Sequence, residues 1–159
     1  MKRIERGDLT DPRVIALVNH HVSTARGETG LGCAHALETT DLDRPGITFW
    51  TIWDDASPVD ILAGIGALKE LSPGHGEIKS MHTAEHVRRR GFGRALLDHI
   101  IAHAKANGMS QLSLETGSWD YFEPARRFYR RHGFVECEPF ADYRPDPNSV
   151  FMSRELSMG

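Results

Sequence analysis

No stretch of this 159-residue chain approaches the roughly 18 consecutive apolar residues that a membrane span requires. The opening Met1-Lys2-Arg3-Ile4-Glu5-Arg6 turns polar at once and lacks the apolar core of a secretory leader. Cysteine is scarce: Cys33 and Cys137 are too few for a disulfide framework, and a reducing cytoplasm is the natural setting. A basic excess is missing too. The formal net charge of -3 argues against a protein that coats nucleic acid or an anionic membrane. Repeats, low-complexity tracts and long linkers are absent. What is there is an ordinary globular composition, 40% hydrophobic and 26% charged, enough for one domain over residues 1–159 and not for a second.

Periodicity divides that domain into alternating elements. Lys2 to Arg6 reads as a short strand. Asp11-Pro12 supplies an N-cap and a first-turn proline for a helix running through Ile15, Leu17, Val18 and Val22. Residues 27–46, with Gly27, Gly30, Gly32 and Pro45-Gly46, read as an irregular binding loop. Ile47 to Trp53 and Ile61 to Leu68 form a hairpin of β-branched and aromatic residues, and Glu77 to Thr83 a further strand. Gly93, Leu96, Leu97, Ile100, Ile101 and Ala104 make one apolar helical stripe, closed by Asn107-Gly108. Leu112 and Leu114 lie in a strand. Asp120 and Glu123 resemble a capping box for a helix carrying Phe122, Ala125, Tyr129 and His132 on one face. Phe134 to Cys137 and Val150 to Leu156 supply the last strands. The order is an α/β layer with a mixed sheet.

The chemistry concentrates between strand and stripe, in Arg88-Arg89-Arg90-Gly91-Phe92-Gly93-Arg94. A helix N-terminus offers unpaired N–H groups and the positive end of its dipole, and glycines let a ligand approach the backbone. The arginines add charge-assisted donors for a diphosphate. A solvated basic helix start is the plain alternative. A dinucleotide fingerprint would need glycine where Leu96 stands, and the Gly-Lys-Ser/Thr of a P-loop is absent.

Arg88-x-x-Gly91-x-Gly93 resembles the coenzyme A pyrophosphate signature of the GNAT acyltransferases. Downstream, Ala125-Arg126-Arg127-Phe128-Tyr129-Arg130-Arg131-His132-Gly133-Phe134 resembles that family's second signature, and the element order matches from about residue 2 to 156. Gly76 to Met81, Leu112 to Gly117 and Asp146 to Met152 are similar to a bacterial subgroup. The resemblance implies the GNAT fold, a central, mixed, mostly antiparallel and splayed sheet flanked by helices. It implies an N-acetyltransferase that uses acetyl-coenzyme A as cosubstrate, needs no metal, and acts on an amine-bearing acceptor. Neither nucleic acid nor membrane is an expected partner, and a homodimer stays open.

Residue by residue, Met81, His82 and Thr83 would pair through their backbone with the pantetheine arm and polarise the thioester carbonyl. Arg88, Arg89, Arg90, Gly91, Phe92, Gly93 and Arg94 would wrap the pyrophosphate. Tyr129 would protonate the departing thiolate, and Glu77, eleven residues before Arg88, would be the base. Where the family often has asparagine, this chain has Phe122. Strand alternation puts Glu77 on one face with Met81 and Thr83, about 13 and 20 Å along at 3.3 Å per residue. Plain readings stand beside these: Tyr129 as a core residue, Glu77 as a solvated carboxylate, His99 and His103 as an exposed pair without a third ligand. His20, His21, His75 and His82 are candidates for proton relays. Residues 19 to 46 and the 139 to 149 loop would build the substrate pocket of this fold, and in the first Glu28, Glu38, Asp41 and Asp43 outnumber Arg26 and Arg44, which favours a cationic acceptor. A coenzyme A sensor or interaction domain without efficient turnover is the alternative function.

Overall fold

The computed structural model describes residues 2–29, 39–55, 59–88 and 90–156, with the backbone alone for residues 25–29. Seven strands form one sheet: β1 Lys2–Arg6, β2 Ile47–Asp54, β3 Ile61–Ser72, β4 His75–Thr83, β5 Gln111–Gly117, β6 Val135–Glu136 and β7 Ser149–Glu155. Their spatial order is β1-β2-β3-β4-β5-β7-β6, and every neighbouring pair is antiparallel except β4 with β5. The helices are α1 Pro12–Thr29, α2 Thr39–Leu42, α3 Phe92–Ala106 and α4 Glu123–Arg131. This is the expected mixed, mostly antiparallel sheet. Among the described residues no helix is long and apolar enough to cross a membrane.

Two apolar layers hold the sheet. On one face Leu96, Leu97, Ile100, Ile101 and Ala104 of α3 pack with Tyr129 of α4 against Trp50, Ile52, Ile78, Leu112 and Leu114. On the other, Val14 and Val18 of α1 and Leu42 of α2 cover Phe49, Trp53, Leu62, Ile65 and Ala67. Helix α1 begins as its sequence dictates: the Asp11 carboxylate accepts from the Arg13 N–H at 2.9 Å, and Pro12 fills the first helical position.

Three local expectations are corrected. The segment 27–46 is not wholly irregular, because α1 runs through Thr29 and α2 occupies Thr39–Leu42; residues 30–38, Cys33 and Glu38 among them, lie outside the described residues. Asp120 and Glu123 do not form a capping box. Asp120–Phe122 is a 3₁₀ turn, and α4 starts at Glu123 behind Phe122 without a side-chain cap. Glu123 instead accepts from Arg126 at 2.7 Å and Arg127 at 3.1 Å, one turn further on, where opposite charges meet on a helix surface.

The third correction reaches the site. Ser80 takes φ 56°, and the register slips between Ile65, opposite His82, and Ala67, opposite Lys79. One extra residue of β4 therefore bulges there, which reverses the strand's alternation. Before the bulge Gly76 and Ile78 face α3. Beyond it a Cβ on Gly66 would come within 3.1 Å of Met81 Sδ and Ile100 Cδ1, so Met81 has turned to the α3 face. Glu77 and Met81 do not share a face after all.

Candidate active site

Strands β4 and β5 run parallel for four residue pairs, ending at Ile78 opposite Leu114, and then part. Residues 79–83 and 115–117 continue on either side of the gap without pairing to each other. A cavity of about 1310 Å³ opens in this split. Its walls come from both halves of the sheet, from the turn into α3, and from α4.

On the α3 side the wall is the N-terminus of a helix. Gly91 sits at the helix N-cap with φ 84°, a left-handed conformation that side chains rarely adopt. A Cβ on Gly93 would lie 3.1 Å from Thr83 Oγ1 and 3.6 Å from the Phe128 ring, so glycine keeps the first turn of α3 close to β4. Arg88, Gly91, Gly93 and Arg94 line the cavity. The structure does not gather the whole turn there. The Arg90 guanidinium binds the Asp54 carboxylate at 3.0 Å, and the Phe92 ring is buried in the core. Arg89 lies outside the described residues. Met81, His82 and Thr83 all line the cavity.

Tyr129 also lines it, 7% exposed, on α4. Its ring packs at 5.4 Å from Phe128 and 5.8 Å from Phe134, and burial raises its hydroxyl far above the usual phenol range. Phe122 stands over the end of β5, where a Cβ on Gly117 would strike its ring at 2.3 Å. Arg126 is a site-building residue that sequence reasoning missed: its buried guanidinium donates to the Gly117 and Trp119 carbonyls, fastening α4 to the end of β5. A buried arginine on a helix of arginines leaves no periodic mark.

Across the bulge, on the other face, lies a polar group of a different kind. Glu77 is 2% exposed, and its Oε2 accepts from Tyr143 Oη at 2.6 Å and Lys79 Nζ at 3.1 Å. Lys79 also donates to Tyr143 Oη at 2.7 Å. The Tyr143 ring packs against Phe140 and Phe151, so the triangle ties the 137–148 segment to β4. Tyr143→Phe removes one donor to Glu77 and one acceptor for Lys79. It should lower the unfolding free energy by about 1–3 kcal/mol, read by urea denaturation, and leave coenzyme A affinity unchanged.

Two histidines complete the wall. His21 Nδ1 of α1 lies 3.0 Å from His82 Nδ1, with the His20 ring 5.4 Å from that of His82. Burial lowers His21 to about 4 and His82 to about 3, neighbouring histidines and Arg88 adding to the shift at His82. Among the described residues His82 Nε2 and Ser80 Oγ are buried without a hydrogen-bond partner. Unfolding returns both rings to about 6.5, so between that value and their folded values the unfolded chain binds more protons. Stability should therefore fall as pH drops below about 6.5, by up to about 1.4 kcal/mol per pH unit for each ring. Thermal melts from pH 7 to 5 check this, and His21→Phe should flatten the slope. Among the described residues no group of three or more His, Cys, Asp or Glu is placed to hold a metal ion.

A parted parallel strand pair, a glycine turn opening a helix beside it and a tyrosine meet at this one cavity. The model of the acetyltransferase (GNAT) family matches residues 16–134, and the chain belongs to that family. It is 49% identical over 153 residues to the uncharacterised N-acetyltransferase YsnE of Bacillus subtilis, covering 96% of this chain and 99% of that one. It is 45% identical to the uncharacterised N-acetyltransferase YedL of Escherichia coli, covering 98% and 96%. A Klebsiella pneumoniae crystal structure assigned as an acyl-CoA N-acyltransferase superposes with a TM-score of 0.76 at 30% identity, over 99% of both chains. The protein is thus an N-acetyltransferase of the GNAT family, a class whose donors are acyl-coenzyme A thioesters.

Proposed function

We propose that the protein moves the acetyl group of acetyl-coenzyme A onto a primary amine by direct attack within a ternary complex. The observation that carries this reading is the cavity through the split between β4 and β5, with a glycine- and arginine-bearing helix start on one face and the Glu77–Lys79 pair on the other. The pyrophosphate belongs at the N-terminus of α3, on main-chain N–H groups near Gly91 and Gly93, with Arg88 and Arg94 beside it. The arm lies along Met81, His82 and Thr83. Backbone donors on the parted edge stabilise the charge that builds on the carbonyl oxygen. Tyr129 donates to the thiolate as it leaves.

The acceptor enters from the face of Glu77, Lys79 and Tyr143. Glu77 there holds the 137–148 segment in place, since its carboxylate already serves Lys79 and Tyr143. A small amine fits this setting better than a protein surface, because this end of the cavity is walled by Glu77 and Lys79, which Tyr143 holds, and by His21 and Thr24 of α1.

The test is release of free thiol from acetyl-coenzyme A, screened against amines, polyamines, amino acids and lysine peptides, with coenzyme A binding measured alongside. Turnover with a small amine supports the proposal. Tight coenzyme A binding with no thiol release from any of them would make the protein a coenzyme A sensor instead.

A further inference from the structure

Amine attack releases a proton, and the geometry around the bulge offers one unengaged atom to take it. Glu77 and Lys79 are occupied with each other and with Tyr143. Ser80 and His82, which bracket Met81, carry the buried side-chain atoms that lack partners among the described residues lining the cavity. Such atoms in a native fold call for a ligand. The strained φ of Ser80 falls at the same place, as strain does where a site needs it. His82 pairs across the sheet with Ile65, directs its ring to α1, and ends against His21.

Resting on the acetyltransfer reading, we propose that His82 Nε2 is the base that takes the proton of the acceptor amine, and that His21 is the residue that positions it. Two Nδ1 atoms 3.0 Å apart share one proton. When His82 Nδ1–H donates to His21 Nδ1, the His82 Nε2 lone pair is left bare and without a partner among the described residues, on a side chain that lines the cavity. The bond on the other ring nitrogen sets which nitrogen of a histidine is basic. In the step itself, the nitrogen lone pair of the acceptor forms the new C–N bond. Its N–H bond breaks, the proton goes to His82 Nε2, and the C–S electron pair leaves with the thiolate. His82 becomes an imidazolium that still donates to His21. Its surroundings are His20 and His21 on α1 and Arg88 from the turn after β4. Burial first, and then the charges of Arg88 and the histidine cluster, disfavour the cation, so the proton passes on to water once the product departs. The ring is neutral whenever the next amine arrives.

Two measurements on the full chain test this. Nitrogen-15 NMR of histidine-labelled protein should show His82 protonated on Nδ1 and bare on Nε2 at pH 7, with no titration down to pH 5. A protonated His82 Nε2 or an imidazolium at pH 7 would overturn the proposal. In thiol-release assays with benzylamine, spermidine and lysine as probes, His82→Ala should lose about 100-fold or more in kcat/KM with coenzyme A affinity unchanged. Added imidazoles should restore turnover, more so the more basic the imidazole. His21→Phe should show a smaller loss in kcat with the acceptor KM nearly unchanged. A folded His82→Ala chain that turns over like wild type, or that no imidazole rescues, would overturn the assignment. His82→Gln serves in the same assay if the alanine variant melts early. Wild-type protein that binds coenzyme A yet releases no thiol with any probe would remove the transferase reading and this proposal with it.

Discussion

Tyr129→Phe should lower kcat by about 10²–10⁴-fold, the range for loss of a group that assists proton transfer, while coenzyme A affinity and melting temperature stay near wild type. The ring is a packing element, edge-on to Phe128 and Phe134, and phenylalanine keeps all of that. What it loses is a hydroxyl whose proton burial holds in place at every working pH. In the proposed reaction such a hydroxyl acts as a constant donor to the thiolate. It stabilises negative charge on sulfur by a hydrogen bond that strengthens as the C–S bond breaks. The measurement is kcat by thiol release beside calorimetric binding of coenzyme A. Unchanged turnover would return Tyr129 to the core as a plain aromatic.

Gly93→Val should cost coenzyme A affinity about 10–100-fold, the equivalent of one lost hydrogen bond to a charged group at about 1.5–3 kcal/mol. A Cβ at this position already sits 3.1 Å from Thr83 Oγ1, and valine's two further methyl groups must point at β4, Phe128 or the open cavity. Any of these widens the gap between the first turn of α3 and the diphosphate. Arg88→Ala should cost less, because main-chain donors remain. Calorimetry separates the two, and a Gly93→Val chain that binds coenzyme A normally would sink the pyrophosphate assignment.

Much of the frame was legible because it rests on periodicity. The stripe from Gly93 to Ala104 is α3, and the side chains of its apolar stripe beyond Gly93 are buried. Arg88, Gly91 and Gly93 stand at the cavity because glycine and helix start coincide in sequence as in space. The bulge was not legible. Serine in a left-handed conformation carries no compositional signal, and strict alternation put Glu77 with Met81 when the chain separates them. Tyr143 was invisible for another reason: its partner Glu77 lies 66 residues away, and no local pattern reports such a contact. His21 and His82, 61 residues apart, entered the sequence reading as separate relay candidates and meet only in the fold. The capping box failed because the arginines one turn on, Arg126 and Arg127, compete for the same Glu123 carboxylate.

The parallel join of β4 to β5 has a consequence for how the chain assembles. Strands β1 to β4 form a sequential meander, apart from the long link between β1 and β2, and β5, β7 and β6 form a second antiparallel block. Between the blocks run four ladder pairs, against seven for β3 with β4 and seven for β5 with β7. Making that join requires α3 to form and swing across first, so it closes late, after local pairings on each side. Cooperative units of unfolding tend to follow such divisions. Native-state hydrogen exchange should then find two blocks of protected amides that open separately, and acetyl-coenzyme A, in its proposed seat across the join, should draw them into one.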